Sequence, residues 1–249
     1  MDKFEHLILT RFNLPINNWE EDKNGNPIRT DDWLEHRFDL FDRYCFPSVR
    51  NQSNQNFKWL VFFSDKTPEK YRRRIASYEE FDNFTPIFLD SSMGFDESFR
   101  NKCISDHLEC DTQYLITTRL DNDDALGDNA VAVIQSRFHE QEFEVLNFRD
   151  VYYLCDDQLC VWESECNQFV SIIERIEDGQ FKTAWFKQNS LIPDTHPVTQ
   201  ITGGPYCLVL VHDRNIFNEQ RGESCPLERL EEDFTLSGDA YLELSLLIP

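Results

Sequence analysis

The chain has 249 residues, of which 40% are hydrophobic and 14% aromatic, enough to bury the core of one large α/β domain. Its 46 acidic and 24 basic side chains give a net charge of −22, so its field repels nucleic acids and anionic membrane surfaces. No apolar run reaches the roughly 18 residues of a membrane span, which leaves only peripheral membrane contact open.

The eight cysteines indicate neither a structural metal site nor an extracellular disulfide framework. They include no C-x-x-C pair, and the spacings from Cys155 to Cys160 and from Cys160 to Cys166 do not match a zinc ribbon. The charged start, residues 1–5, lacks the apolar stretch of a signal peptide. We therefore expect reduced thiols and a cytoplasmic location.

Strand patterns alternate with helix patterns along the first half of the chain. Short apolar runs predict strands over 6–12, 57–63, 85–89 and 113–120. Apolar residues at helical spacing predict helices over 32–45, from 67 onward, over 96–108 and over 128–140. Four successive βα units indicate an α/β fold with a mostly parallel sheet, right-handed crossovers and helices on both faces.

Local signals predict where the first two helices begin and end. Asp32 and Glu35 resemble a capping box at the start of the first helix, and Pro47 is expected to close it. Thr67 followed by Pro68 predicts an N-cap and a proline at the first position of the second helix.

The pattern changes after Glu142 to closely spaced strands. Apolar runs over 143–147, 151–154, 159–163 and 169–173 favour a smaller antiparallel portion, and a last strong strand over 206–211 ends at His212. No linker or repeat separates independent domains. We expect one domain over 1–249, with a nucleotide-binding half, 1–142, and an acceptor-binding half, 143–249.

The most informative feature is the apolar strand 114–120, which runs directly into the acidic cluster 121–124 (DNDD). In an open α/β sheet, ligands bind beyond the carboxyl ends of the strands. Neighbouring carboxylates repel one another, and a divalent cation is the usual relief. The sequence therefore predicts a Mg²⁺ or Mn²⁺ site here; the alternative is an acidic turn that caps the helix starting at Asp128.

Two common ligand loops are excluded by spacing. Counted from Asp121, a calcium loop would need a ligand at Ala125, glycine at Leu126 and glutamate at Ala132, so an EF-hand fails. No glycine-rich phosphate loop occurs either. Phosphate would therefore have to be held by a metal and by arginine.

Three motifs together resemble the putative rhamnosyltransferase family. They are 118–125 (TRLDNDDA), the first strand ending 9–12 (LTRF) with 59–68 (WLVFFSDKTP), and 210–215 (LVHDRN). They span about residues 7–218. The resemblance implies a GT-A type, Rossmann-like fold and a metal-dependent glycosyltransferase that moves a sugar from a nucleoside-diphosphate donor to a saccharide or other hydroxyl acceptor. The family name suggests rhamnosyl transfer in surface polysaccharide synthesis, but no residue selects rhamnose.

The resemblance also implies a metal set. Asp121 would approach the ribose or base of the donor, while Asp123, together with Asp124, would bind the cation that bridges the diphosphate. His212 would be a further metal or diphosphate ligand, and its neutral imidazole suits Mn²⁺ better than Mg²⁺. A strand-end histidine hydrogen-bonded to its own loop is the alternative for His212.

The implied nucleotide pocket lies at the ends of the first two strands. Thr10 and Arg11 would line it, with Asp65 nearby. Arg119 and Arg100 are the candidates to neutralise the diphosphate. An ion pair between Arg119 and the neighbouring aspartates is the alternative for that arginine.

An inverting transfer would need a carboxylate base beside the acceptor hydroxyl. Asp194, near His196, is one candidate, and Glu232 and Asp233 in the acidic stretch 228–233 are others. The sequence leaves this choice open. It also leaves open two other functions: a non-catalytic carbohydrate-binding or interaction module of the same fold, and a metal-dependent phosphohydrolase.

Overall fold

Strands and helices alternate in the first half of the chain, in a computed structural model that describes residues 4–15, 20–91 and 96–247. The strands of this half are β1 (Phe4–Arg11), β2 (Lys58–Ser64), β3 (Phe84–Leu89), β4 (Tyr114–Arg119) and β5 (Ala125–Leu126). The helices are α1 (Asp31–Leu40), α2 (Phe46–Arg50), α3 (Glu69–Tyr78), α4 (Glu97–Ser105) and α5 (Ala130–Gln135). Every predicted strand and helix of this half is present.

The second half adds seven strands and two helices to the described fold. The strands are β6 (Phe143–Phe148), β7 (Asp150–Cys155), β8 (Gln158–Glu163), β9 (Ser171–Arg175), β10 (Val198–Ile201), β11 (Cys207–Val211) and β12 (Glu223–Ser224). The helices are α6 (Arg229–Asp233) and α7 (Gly238–Leu247). None of the described helices is both long and apolar enough to cross a membrane.

The strands form two sheets. The larger has the order β10-β6-β9-β4-β1-β2-β3, in which β9 is antiparallel to both neighbours and every other pair is parallel. The smaller has the order β12-β8-β7-β11-β5 and is antiparallel except where β11 runs beside β7. The predicted α/β class with a mostly parallel sheet and a smaller antiparallel portion is confirmed.

Strand alternation distributes apolar side chains to both faces of the large sheet. On one face, Ile8 packs in a buried cluster with Phe38 of α1 and Ile75 of α3. On the other face, Leu7 packs in a second cluster with Ile104 of α4. Helices therefore cover both faces, as predicted, and burial of this apolar surface is the main force that stabilises the sheet.

The first helix differs from the prediction at both ends. Its N-cap is Thr30, whose hydroxyl accepts a hydrogen bond from the backbone N–H of Trp33 at 3.2 Å, so the capping box predicted at Asp32 and Glu35 is wrong. Pro47 does not end the helical segment. A π-helical turn, Phe41–Cys45, leads into α2, and Pro47 lies in the first turn of α2, where its missing N–H costs little.

Two further helix starts were misplaced. The Thr67 side chain donates to the Ser64 carbonyl oxygen at 2.7 Å and caps no helix, and α3 begins at Glu69 after Pro68. Asp128 accepts from the backbone N–H and the hydroxyl of Thr235, at 2.7 and 2.8 Å. Both oxygens of Asp128 therefore hold the distant segment before α7 instead of capping α5.

The connections of β1 create a crevice at one edge of the large sheet. From β1 the chain passes to β2 and β3 on one side, then returns to β4 on the other side of β1. The strand order therefore changes direction at β1. In open α/β sheets such a switch point is the usual place for a ligand.

A buried histidine links β1 to β4. The His6 Nε2 atom lies 2.9 Å from the Thr118 hydroxyl, and the Gln135 side-chain amide lies 3.1 Å from Nδ1. Since Gln135 donates to Nδ1, the ring proton is on Nε2 and is donated to Thr118. Burial lowers the pKa of His6 to about 3, so the folded protein holds this ring neutral.

We expect this histidine to make the fold less stable in acid. Between its unfolded pKa, near 6.5, and about 3, the unfolded chain binds a proton that the folded chain does not, so stability falls as the pH falls through this window. At pH 4 the loss from His6 alone should approach about 3 kcal/mol. Urea unfolding of His6→Gln should show a smaller change in unfolding free energy between pH 7 and pH 4 than wild type. The exposed His139→Gln is the matched control; equal pH dependence in His6→Gln and wild type would contradict this account.

Candidate active site

A cavity of about 440 Å³ lies at the carboxyl ends of β1 and β4, at the switch point of the sheet. Its lining residues are Arg11 to Leu14, Ile28, Arg29, Trp33, Arg37, Arg119, Asp121 to Asp123, Tyr153, Gln168, Gln188 to Ser190, Asn215 to Glu219, and Arg221. The volume falls within the range of small-molecule sites. The predicted acidic cluster therefore borders a cavity.

The charges around the cavity are mainly positive, in contrast to the net charge of −22 of the chain. The cationic lining residues are Arg11, Arg29, Arg37, Arg119 and Arg221, and the acidic ones are Asp121, Asp123 and Glu219. Guanidinium groups bind phosphate and carboxylate through paired N–H donors. The cavity therefore suits an anionic ligand.

Asp121 is paired with the arginine two residues before it. The Arg119 Nη2 atom lies 2.9 Å from one carboxylate oxygen of Asp121, and Nε lies 3.3 Å from the other. Burial lowers the pKa of Arg119, but Asp121 more than offsets this, and the pKa is raised overall. The structure thus contains the alternative given for Arg119, an ion pair with a neighbouring aspartate.

Arg11 extends toward the same region without a carboxylate partner among the described residues. Its guanidinium lies over the Trp185 ring, 5.6 Å from the ring centroid. Burial, together with the positive charge of Arg119, lowers the pKa of Arg11 to about 10. Two neighbouring guanidinium groups with a single carboxylate between them leave an excess of positive charge on this wall.

Asn122 ties the acidic cluster to the end of β1. Its side-chain amide donates to the carbonyl oxygens of Arg11 and Phe12, at 2.9 and 3.0 Å. Its side-chain oxygen accepts from Arg37 Nη1 at 3.2 Å. This residue therefore fixes the loops after β1 and β4 to each other and to α1.

Asp123 is buried and accepts three donors at one oxygen. The Arg37 guanidinium forms an ion pair with Oδ2, the His212 Nε2 atom lies 3.0 Å away, and the Asn215 side-chain amide lies 3.1 Å away. Burial raises the pKa of Asp123, but Arg37 and His212 outweigh it and hold the pKa below its ordinary value. Asp123 is therefore a charged carboxylate that is already neutralised by its neighbours.

Each ring nitrogen of His212 has its own hydrogen-bond contact. The backbone N–H of Arg214 donates to Nδ1 at 3.2 Å, so the ring proton is on Nε2 and is donated to Asp123. The backbone N–H of His212 in turn donates to the Asn215 side-chain oxygen at 2.7 Å. Both ring nitrogens therefore contact protein groups. This agrees with the alternative given for His212, a strand-end histidine hydrogen-bonded to its own loop.

Asp124 points in a different direction from Asp123. It is fully buried, with one oxygen accepting from the backbone N–H of Leu210 at 3.0 Å and the other from the Gln168 side chain at 3.3 Å. Burial, then repulsion from Asp123 and Asp121, raises the pKa of Asp124 well above its ordinary value. This carboxyl group connects the cluster to β11, and it does not line the cavity.

The predicted metal set does not fit a cation as it is arranged. Asp123 and His212 bind each other, and Asp124 binds β11. Among the described residues, the one group of three metal-ligating side chains whose ligand atoms lie within 4.8 Å of one another is His36, His212 and Asp213. Burial lowers the pKa of His36, and the neighbouring His212, Arg214 and Arg37 lower it further.

Three residues predicted for the donor pocket lie outside the cavity lining. Thr10 is buried and accepts from the Trp59 indole N–H at 2.9 Å. Asp65 is exposed and accepts from the backbone and hydroxyl of Ser91, at 3.0 and 2.6 Å. Arg100 is buried, and its positive charge also lowers the pKa of Arg11. Of the predicted donor residues, Arg11, Arg119 and Asp121 line the cavity.

The three candidate bases are also absent from the cavity lining. Asp194 is exposed after a 3₁₀ turn, Asn189–Leu191. Glu232 and Asp233 are exposed on α6, and Asp233 borders a different, shallow pocket near Gly203. The carboxylate that does line the cavity without an ion pair or hydrogen bond among the described residues is Glu219.

Sequence reasoning missed the main contribution of α1. Trp33 and Arg37 line the cavity, and the Arg37 guanidinium lies 5.0 Å from the centroid of the Trp33 ring. Both side chains are buried, and the Trp33 Nε1 and Arg37 Nε atoms have no hydrogen-bond partner among the described residues. The sequence signal for this contribution was Arg37 itself, which lies between Leu34 and Phe38 on the apolar side of the helix.

The comparison with protein families decides the classification. The family model described as putative rhamnosyl transferase matches residues 5–224. The chain belongs to this family. The match includes all of the resemblance motifs and every residue of the cavity lining. None of the curated proteins matches the chain.

Several solved structures resemble this chain, but only distantly. TarS from S. aureus matches in two crystal structures, each at 12% identity and a TM-score of 0.45 over 83% of this chain. The chain spans 60% of one TarS structure, residues 1–349, and 37% of the other. HddC from Yersinia pseudotuberculosis is similar at 12% identity and a TM-score of 0.38, over 82% of this chain and 92% of HddC. Likenesses this distant carry no functional argument.

The neighbouring aspartates should differ in how much stability is lost when each charge is removed. Asp123→Asn leaves the buried Arg37 without its counter-charge, and we expect it to lower the unfolding free energy by about 3–5 kcal/mol. Asp124→Asn removes a charge that its surroundings disfavour and keeps an oxygen for the Leu210 N–H, so it should change stability by less than about 1 kcal/mol. Urea unfolding of both variants at pH 7 tests this. Equal losses would show that the two carboxylates do not have separate environments.

Proposed function

We propose that this member of the putative rhamnosyl transferase family is a glycosyltransferase that binds a nucleoside-diphosphate sugar in the cavity at the ends of β1 and β4. A GT-A type fold, implied by the family resemblance, agrees with the strand order around this switch point. The observation that carries the proposal is the arginine-lined cavity of about 440 Å³ in a chain of charge −22. Selection of rhamnose as the sugar comes from the family name alone.

The diphosphate would lie against the wall formed by Arg11 and Arg119. Arg119 already shares its charge with Asp121, whereas Arg11 has no described carboxylate partner. A diphosphate oxygen beside both guanidinium groups would relieve their mutual repulsion. Asp121 is half-buried at the same wall, where a carboxylate can accept hydrogen bonds from the ribose hydroxyls.

Other lining residues offer groups suited to the uncharged parts of the donor. Trp33 and Tyr153 contribute aromatic surface to the cavity. The Trp33 Nε1 donor is buried without a described partner, and a carbonyl or hydroxyl oxygen of a ligand would satisfy it. Phe217 is 70% exposed at the cavity, a position where a base or an acceptor sugar can cover it.

The transfer reaction then needs two contributions from the protein. The bond between the anomeric carbon and the diphosphate oxygen breaks while a bond from the acceptor hydroxyl oxygen to that carbon forms, and the nucleoside diphosphate leaves with the electron pair. Arg11 and Arg119 would stabilise the charge that develops on the leaving group. For an inverting transfer, Glu219 would take the proton from the acceptor hydroxyl, since it is the lining carboxylate without an ion pair among the described residues.

Nucleotide binding tests the donor site directly. We expect calorimetric titration with UDP, GDP and dTDP to show binding of at least one diphosphate, with the matching nucleoside much weaker. Arg11→Gln should weaken that binding about tenfold or more, because it removes a charged donor to phosphate. Arg175→Gln is the matched control, since this exposed arginine pairs with Glu142 away from the cavity. Absence of binding by all three nucleotides would contradict the proposal.

Substitution of Glu219 separates chemistry from binding. Glu219→Gln should reduce release of nucleoside diphosphate from the accepted nucleotide sugar by about 100-fold or more, while affinity for the nucleoside diphosphate stays within about twofold. Glu228→Gln, an exposed acid outside the cavity lining, should change neither quantity. A fully active Glu219→Gln would rule out this residue as the base. Nucleotide binding without sugar transfer to any hydroxyl acceptor would instead favour a non-catalytic module.

A further inference from the structure

We propose that this cavity binds a nucleoside diphosphate without a divalent cation, because Arg37 provides the positive charge beside Asp123 and the other cavity arginines neutralise the diphosphate. The inference rests on the function proposed above and replaces the metal predicted from the sequence. The arrangement of carboxylates and arginines around the cavity supports it.

Arg37 is held at Asp123 from several sides. Besides its ion pair with Asp123, its Nη1 atom donates to the Asn122 side-chain oxygen at 3.2 Å. Its Nη2 atom lies 3.5 Å from the Arg214 carbonyl oxygen, and its guanidinium faces the Trp33 ring. A cation at the same carboxylate oxygen would have to displace this guanidinium and also the donors from His212 and Asn215. Arg37 therefore occupies the position that a metal would need at Oδ2 of Asp123.

The other carboxylates of the cluster are also engaged by protein donors. Both oxygens of Asp121 accept from Arg119, and both oxygens of Asp124 accept from Leu210 and Gln168. Asp124 is also fully buried and lies outside the cavity lining. Each of the three carboxylates of the cluster is therefore already bonded to protein donors.

Positive charge for the diphosphate is available elsewhere in the lining. Arg11, Arg29 and Arg221 line the cavity, and none of them forms an ion pair with a described carboxylate. The cavity thus offers three guanidinium groups that form no ion pair within the described part of the chain. Arginine forks bind phosphate oxygens in pairs, which is the role that a bridging cation would otherwise have.

Calorimetry in the presence and absence of metal tests this inference. UDP, GDP and dTDP are titrated into the protein in EDTA, then in Mn²⁺, Mg²⁺ or Zn²⁺, the last to include the His36, His212 and Asp213 group. We expect the dissociation constant of the accepted nucleotide to agree within about threefold across these conditions. Binding that is more than about threefold tighter with any metal would overturn the inference and leave the proposed function standing. No binding under any condition would overturn the proposed function itself.

Two variants locate the charge that replaces the metal. In Arg37→Ala we expect weaker binding in EDTA and partial recovery with Mn²⁺, because Asp123 is then free to bind a cation. Since that variant leaves a buried charge unpaired and can unfold, Arg221→Gln is the second test. Arg221→Gln should weaken binding about tenfold, equally in EDTA and in Mn²⁺, while the control Arg175→Gln leaves it unchanged. Unchanged affinity in Arg221→Gln, or weakening only in EDTA, would contradict the inference.

Discussion

The ion pair between Arg37 and Asp123 is the interaction on which the candidate site depends. It joins α1 to the loop after β4, and the same carboxylate accepts donors from His212 and Asn215 in the loop after β11. Three segments far apart in the chain therefore converge on one buried oxygen. Because an unpaired charge in this position would be costly, each partner can remain buried only while the other is present. The pair, with Asn215, therefore joins three segments that line the cavity.

Each of the four residues of the acidic cluster binds a different part of the site. Asp121 turns to Arg119 at the cavity wall, and Asn122 binds the loop after β1. Asp123 faces α1, while Asp124 is buried against β11. Neighbouring carboxylates in such different surroundings have pKa values displaced in opposite directions, as Asp123 and Asp124 do. A run of acids in a sequence is therefore weak support for a metal, because each carboxylate can have its own protein partner.

The fold was largely predictable because its signals are local, and the site was only partly so because its contacts are not. Alternating apolar strands and helices predicted the βα order, and the rule for strand ends predicted where the cavity would lie. The cap at Thr30 was missed because the neighbouring Asp32 carries an equally suitable side-chain oxygen, and only backbone geometry separates them. The pairing of Arg37 with Asp123 joins residues 86 positions apart, a distance over which no periodicity carries information. Without knowledge of Arg37 as the partner of Asp123, the run of acidic residues favours a metal site.

The acidity of the whole chain and the basicity of the cavity act over different distances. At physiological ionic strength, charges separated by more than about 8 Å are largely screened, so the excess of acids elsewhere on the chain has little influence on a ligand already inside the cavity. During approach, however, the same acids repel an anionic nucleotide and slow its encounter. Added salt therefore has two opposed effects, weakening the repulsion outside and the arginine attraction inside. Affinity for an anionic donor must come from the few arginines that contact it, which is why their freedom from internal carboxylate partners matters more than the net charge of the protein.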